Sequence, residues 1–146
     1  MSTLPELIRI KQLLDDTRIT DIAQQVEGEC QKFAENFSND KKIAIAVGSR
    51  GISNLVLITK TVVSFFRSRG HEVFIIPAMG SHGGATAKGQ IEVLRGYGIT
   101  KQSTGAEILS SMEVVELDSS GLENRVYVDK NAYECDAVIA INRVKA

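Results

Sequence analysis

Lys42-Ile43-Ala44-Ile45-Ala46-Val47-Gly48-Ser49-Arg50-Gly51 and Val73-Phe74-Ile75-Ile76-Pro77-Ala78-Met79-Gly80-Ser81-His82-Gly83-Gly84-Ala85-Thr86 decide the fold. Each begins as an apolar run and ends in a loop rich in glycine. The run at 42–47 is apolar on both alternations, as in a parallel strand covered on both faces. A helix then fits from a Ser53 cap through Arg69, with Leu55, Ile58, Val62, Phe65 and Phe66 on its inner face. Gly70 ends it, as a glycine with positive φ does after a helix. Residues 72–78 read as the next strand. Strand, helix and strand take roughly 35 residues, the length of a βαβ crossover. Ligands of open α/β sheets bind outside the carboxyl ends of the strands, so both loops should face one site.

Around this unit the pattern continues. Residues 4–14 and 20–36 read as helices. In the second, Ile22, Val26, Cys30, Phe33 and Phe37 make one apolar face, and Thr20 suits its cap. Asp15-Asp16-Thr17-Arg18 reads as the turn between them. A helix follows at 86–96, punctuated by Gly96 and Gly98. Met112–Leu117 and Arg125–Val128 flank the turn Ser119-Ser120-Gly121 and suggest a hairpin at the sheet edge. Ala137–Ile141 is again apolar on both faces, which predicts a central strand. Asn142, Arg143 and Lys145 should then leave it at the same end as the other loops. The expected architecture is a single α/β domain over residues 1–146. It is a three-layer, Rossmann-like domain with a mostly parallel central sheet, helices on both faces and an edge hairpin.

Composition excludes several functions. The chain has 146 residues, 43% hydrophobic and 24% charged, and a formal net charge of -1. A chain of this size buries roughly 70% of its unfolded surface, enough for a real core. The near-neutral balance leaves no electrostatic footprint for nucleic acid or an anionic membrane. Lys41-Lys42 and Arg67/Arg69 are short basic spots that a solvated face accounts for. No apolar stretch nears the ~20 residues of a membrane span. The start Met1-Ser2-Thr3-Leu4-Pro5-Glu6 lacks the basic-then-apolar order of a signal peptide, so a cytoplasmic protein is expected. Cys30 and Cys135 share no metal-ligand spacing and read as reduced thiols. With two histidines and isolated cysteines, no metal site is expected from this chain alone.

The loops carry the candidate chemistry. Gly48-Ser49-Arg50-Gly51 joins a strand to a helix N-terminus, where free backbone N–H groups and the helix dipole favour an anion. Arg50 can hold a carboxylate or phosphate through two parallel hydrogen bonds. The plain alternative is a tight turn with a solvated arginine. The loop lacks the Gly-Lys-Ser/Thr ending of a phosphate-binding P-loop and the third glycine of a dinucleotide fingerprint. In the second loop, a histidine set among glycines has little around it to pack against. Imidazole exchanges a proton near neutral pH, so His82 is the candidate acid/base, against the alternative of a loop-stabilising residue. His71, just after Gly70, reads as a surface residue. Arg143 and Lys145 would add positive charge to the same cleft.

Three segments together resemble the N-terminal domain of the lactate racemase family, the nickel-pincer-nucleotide enzymes. They are Ile45–Gly51, Pro77–Thr86 and Val138–Lys145. The resemblance implies an isomerase, a racemase or epimerase of 2-hydroxy acids. In that family a pyridinium-derived nucleotide carrying nickel accepts hydride from the substrate carbon while a histidine removes the hydroxyl proton. His82 matches that histidine, and Arg50 matches the arginine on the substrate carboxylate. Lys145 joins Arg50 on the substrate side. Gly48, Ser49, Gly80, Ser81, Gly83, Gly84 and Thr86 fall on the cofactor side.

Val47 stands where characterised racemases have aspartate, Ser49 where they have threonine, and Gly83 where they tend to have arginine. These departures point to a hydroxy acid other than lactate. The family's second histidine, cofactor-bearing lysine and nickel-ligating histidine lie beyond the matched segments. The chain is therefore expected to be part of a longer enzyme, inactive alone, retaining no cofactor and completed by a C-terminal domain of the same polypeptide. The alternative is a non-catalytic α/β module that binds a phosphorylated or carboxylated small molecule through its glycine loops. A third reading, an interaction domain without a ligand, fits less well, because an interface core would more often expose aromatics.

Overall fold

The computed structural model describes residues 8–13, 17–35, 37, 38 and 40–143. Its centre is strand β1 (Lys42–Val47), whose residues Ile43 to Val47 are all buried. Helix α2 (Leu55–Arg67) leads to β2 (Glu72–Pro77), which lies parallel to β1 with Ile43 opposite Val73 and Val47 opposite Pro77. On the other side β5 (Ala137–Ile141) is also parallel, with Ile43 opposite Ala137 and Val47 opposite Ile141. The sheet order is β2-β1-β5.

The expected central position of Ala137–Ile141 is therefore corrected: among the described residues β1 is central and β5 lies at the edge. Along β5, residues alternate between half-buried and exposed. A continuous apolar run reads alike in both positions, because periodicity reports the faces of a strand and not what pairs with its sides. The opposite edge is extended by one bridge. Ile75 N–H donates to Glu107 O at 2.8 Å, and Leu109 N–H donates to Ile75 O at 2.8 Å.

Odd-numbered side chains of β1 and β2 join helix α1 (Ile22–Ala34), α2 and helix α3 (Ala87–Gly96) in one core that includes Val26, Cys30, Val62, Phe66, Val93 and Leu94. Ala44, Ala46, Phe74 and Ile76 face the other way. There Ala132, from the one-turn helix α5 (Lys130–Tyr133), and Cys135 pack on them. Another one-turn helix, α4 (Lys101–Thr104), packs beside α2. Strands β3 (Val114–Leu117) and β4 (Val126–Asp129) form the expected antiparallel hairpin, but as a separate two-stranded sheet instead of an extension of the parallel one. The fold is thus mixed α/β, a three-stranded parallel sheet flanked by helices with a small hairpin. Among the described residues, no helix is long and apolar enough to cross a membrane.

Helix ends show local competition. Asp21 caps α1, its Oδ1 accepting from Gln24 N–H at 2.9 Å, in place of the expected Thr20. Aspartate is the stronger of two adjacent capping types. Asn54, one residue past the expected Ser53, is the N-cap of α2. It is left-handed at φ 60°, and no side chain caps that helix. The helix stops at Arg67, short of the expected Arg69, and Gly70 takes φ 85° as expected. The helix expected at 4–14 does not form over residues 8–13, where Ile8, Ile10 and Leu13 are exposed. A short amphipathic helix with nothing to pack on is marginal in water. Residues 4–7 and 14 lie outside the described residues, as do Asp15 and Asp16 of the expected turn.

His71 also departs from expectation. It is buried, at 7% exposure, and its Nδ1 accepts from Lys41 N–H at 3.2 Å. Its ring lies edge-on to Phe37 and tilted to Phe66. The strand start after Gly70 folds back under α2, so a position that reads as surface is part of the core. Cys30 and Cys135 are free thiols. Burial pushes the Cys30 thiol up from its ordinary value.

Candidate functional site

Because β1, β2 and β5 are parallel, their carboxyl ends lie on one side and deliver three loops there. The ladder runs on past the strands: Ala78 N–H donates to Val47 O at 2.8 Å, and Gly48 N–H to Ile141 O at 3.4 Å. Gly48 is buried, and a Cβ on it would stand 2.3 Å from Asn142 Oδ1. The glycine is needed so that the Asn142 side chain can sit against the first loop. This draws the end of β5 into the same group as Gly48, Ser49 and Arg50. Ser49 is half-buried and Arg50 exposed.

The first loop is held from the C-cap of α3. Tyr97 Oη donates to Ser49 O at 2.6 Å, and its ring lies where a Cβ on Gly51 would come within 3.3 Å. No side chain caps the first turn of α2 behind it. Free N–H groups at a helix start are a favourable place for an anion, and here they adjoin the Arg50 loop.

The second loop is a left-handed turn. Met79 anchors it in the core at 7% exposure. After it, Gly80 has φ 57°, Gly83 and Gly84 have φ 67°, and Ala85 has φ 52°. His82 N–H donates to Met79 O at 3.2 Å, and Ala85 N–H to Ser81 O at 3.1 Å. Gly83 backs directly on Gly89: a Cβ on Gly83 would meet Gly89 C at 2.5 Å, and one on Gly89 would meet Gly83 O at 1.8 Å. Thr86 Oγ1 donates to Gly83 O at 3.1 Å and accepts from Gly89 N–H at 3.0 Å, capping α3. Gln90, buried, donates from Nε2 to Gly80 O at 2.9 Å. His82, Ser81 and Gly84 remain exposed on the outside of this turn.

The residues expected at the site divide by what they already do. Arg50, His82, Ser81, Gly80 and Gly84 are exposed at the loop surfaces. Gly48, Gly83 and the Thr86 hydroxyl are engaged in holding the loops, which gives each a packing reason for its residue type. Lys145 lies outside the described residues. Gln90, Tyr97 and the Asn142 side chain were not singled out by sequence reasoning. Gln90 carried a signal, a polar residue on the face of α3 that also bears Ala87 and Leu94. Tyr97 carried none, because it contacts a loop 48 positions away.

Among the described residues, no group of three or more histidine, cysteine, aspartate and glutamate side chains is placed to hold a metal ion. The described loop residues therefore do not by themselves supply a donor set for nickel. Comparison with family models, curated proteins and solved structures finds no match for this chain.

Proposed function

We propose that this chain is the N-terminal, Rossmann-like domain of a cytoplasmic 2-hydroxy-acid racemase or epimerase similar to lactate racemase, completed by further sequence of the same polypeptide. The observation that carries this reading is the pairing of loops on adjacent parallel strands. Arg50 leaves the end of β1 and His82 the end of β2, both exposed. Arg50 binds the substrate carboxylate through its two-pronged guanidinium. His82 takes the proton from the 2-hydroxyl as the α-hydrogen leaves, and the family's second histidine, beyond the matched segments, serves the opposite face. The open backbone of Gly80 and Gly84 and the uncapped start of α2 suit the anionic part of a nucleotide. A bound nickel-pincer nucleotide would supply the acceptor for the substrate's α-hydrogen.

The test is stereochemical. The complete enzyme with its cofactor is offered a panel of 2-hydroxy acids in D2O. Inversion with the α-hydrogen retained is expected, and exchange of that hydrogen with solvent would rule the mechanism out. His82→Ala should lower turnover by roughly 10²–10⁴-fold with the fold intact. Arg50→Lys should raise KM, because the paired geometry is lost. The second reading, an anion-binding module without chemistry, is favoured by the uncapped α2 start. It predicts binding of phosphate or carboxylate with no inversion across the panel.

A further inference from the structure

We propose that α3 is a shared brace that sets the Arg50 loop against the His82 loop, with Tyr97 and Gln90 as its positioning residues. The inference rests on the site reading above and adds two residues that neither loop contains. Both contacts are made to backbone carbonyls, so they fix the course of the chain. Tyr97 Oη holds Ser49 O at 2.6 Å, one residue before Arg50. Gln90 Nε2 holds Gly80 O at 2.9 Å, two residues before His82.

Gln90 lies within α3 and Tyr97 is its C-cap, seven positions on, about two turns and roughly 10 Å along the axis. The start of the same helix is locked to the second loop by the Gly83–Gly89 approach and by Thr86. A rigid helix that carries one loop at its start and grips the other at its end transmits any movement of either to both. Gln90 is buried, at 6% exposure, so its amide has been given up by water in favour of this contact. Tyr97 is 38% exposed, and its ring already packs toward Gly51, so the hydroxyl adds direction to a contact that the ring makes alone. A 2-hydroxy acid has its carboxylate and hydroxyl on neighbouring carbons. It therefore demands that the guanidinium and imidazole be held at one fixed separation, and α3 is the element that fixes it.

Tyr97→Phe removes the hydroxyl and keeps the ring, so it separates positioning from packing. The test uses the full chain, with L-lactate and L-malate as probes. Binding is followed by NMR, and backbone amide order parameters are measured without ligand. Tyr97→Phe should leave those of β1 unchanged and lower those of Arg50 and Gly51. It should also weaken probe binding about fivefold. In combination with Arg50→Ala it should cost nothing beyond Arg50→Ala alone. Gln90→Leu should lower the order parameters of Ser81 and His82, and Gln90→Asn, whose amide is too short to reach Gly80 O, should do the same.

Unchanged order parameters at Arg50 and Gly51 in Tyr97→Phe, with unchanged affinity, overturn the brace while leaving the site reading intact. If the unaltered chain and Arg50→Ala bind the probes equally, the Arg50 reading falls. The order parameters then decide the brace alone, a more mobile loop supporting it and no change overturning it.

Discussion

Gly83 and Gly84 share a backbone conformation and differ in what surrounds them. Both have φ 67°, but a Cβ on Gly83 would collide with Gly89 C at 2.5 Å, whereas nothing lies within 4 Å of one on Gly84. Two costs, left-handed strain and collision, can therefore be separated at neighbouring positions. Gly84→Ala should cost about 1–2 kcal/mol, the left-handed penalty alone. Gly83→Ala should cost about 2–4 kcal/mol, because overpacking against helix backbone adds to it. Urea denaturation midpoints of the two variants check the difference; equal midpoints would show that the turn can move off α3. The same contrast sets the limit of sequence reading here. A glycine-rich loop with a histidine is visible in the sequence. That one glycine lies open and its neighbour backs on the helix depends on residue 89. His71 shows the converse: its position after Gly70 suggests solvent, and only the aromatic rings of Phe37 and Phe66 show that it is enclosed.

Among the elements, β5 has its register fixed at one end by a side chain. Asp136 Oδ2 accepts from Lys42 N–H at 2.7 Å, its Oδ1 meets Lys41 Nζ at 3.0 Å, and its own N–H donates to Lys42 O at 2.8 Å. The Lys42 amide, followed by Lys41, holds the Asp136 carboxyl below the ordinary aspartate value. A carboxyl lowered in the fold stabilises it above the unfolded value, about 3.9, and that contribution is lost as pH falls through the lower folded value. Asp136→Asn should therefore destabilise the protein at pH 7 and show a smaller further loss between pH 5 and pH 2. Denaturation midpoints across that range check it, and identical acid profiles would place the acid sensitivity elsewhere. At this scale much was legible. The apolar runs of β1 and β2, the apolar face of α2 and the positive-φ Gly70 are local patterns with local physical causes. The neighbour of β5 was not, because strand pairing is decided by contacts 90 or more positions apart, as at Lys42 and Asp136.

Across the whole molecule the sheet is lopsided. The bridge from Ile108 lies against β2 on one side, and among the described residues no strand pairs with the outer side of β5. Beside that edge, Phe33, Phe37, Val138, Ile139 and Ala140 line an apolar groove of about 380 Å³, with Val138 at 48% exposure. Open apolar edges are the usual place for chains to add to one another. Val138→Lys should reduce concentration-dependent association while leaving the thermal midpoint within a few degrees. Sedimentation at rising protein concentration checks this, and unchanged association would direct attention to the exposed hairpin residues Val114 and Tyr127.

The left-handed glycine pair at 83 and 84 also acts as a filter for chirality. Every L side chain is strained there, and the mirror-image amino acids are at home. A protein assembled by semisynthesis with D-alanine at position 84 would keep the turn, relieve the strain that L-alanine brings and restrict the unfolded chain, so it should be more stable than the glycine form. The segment that presents His82 thus holds two consecutive positions, 83 and 84, where any L side chain is strained and glycine is not.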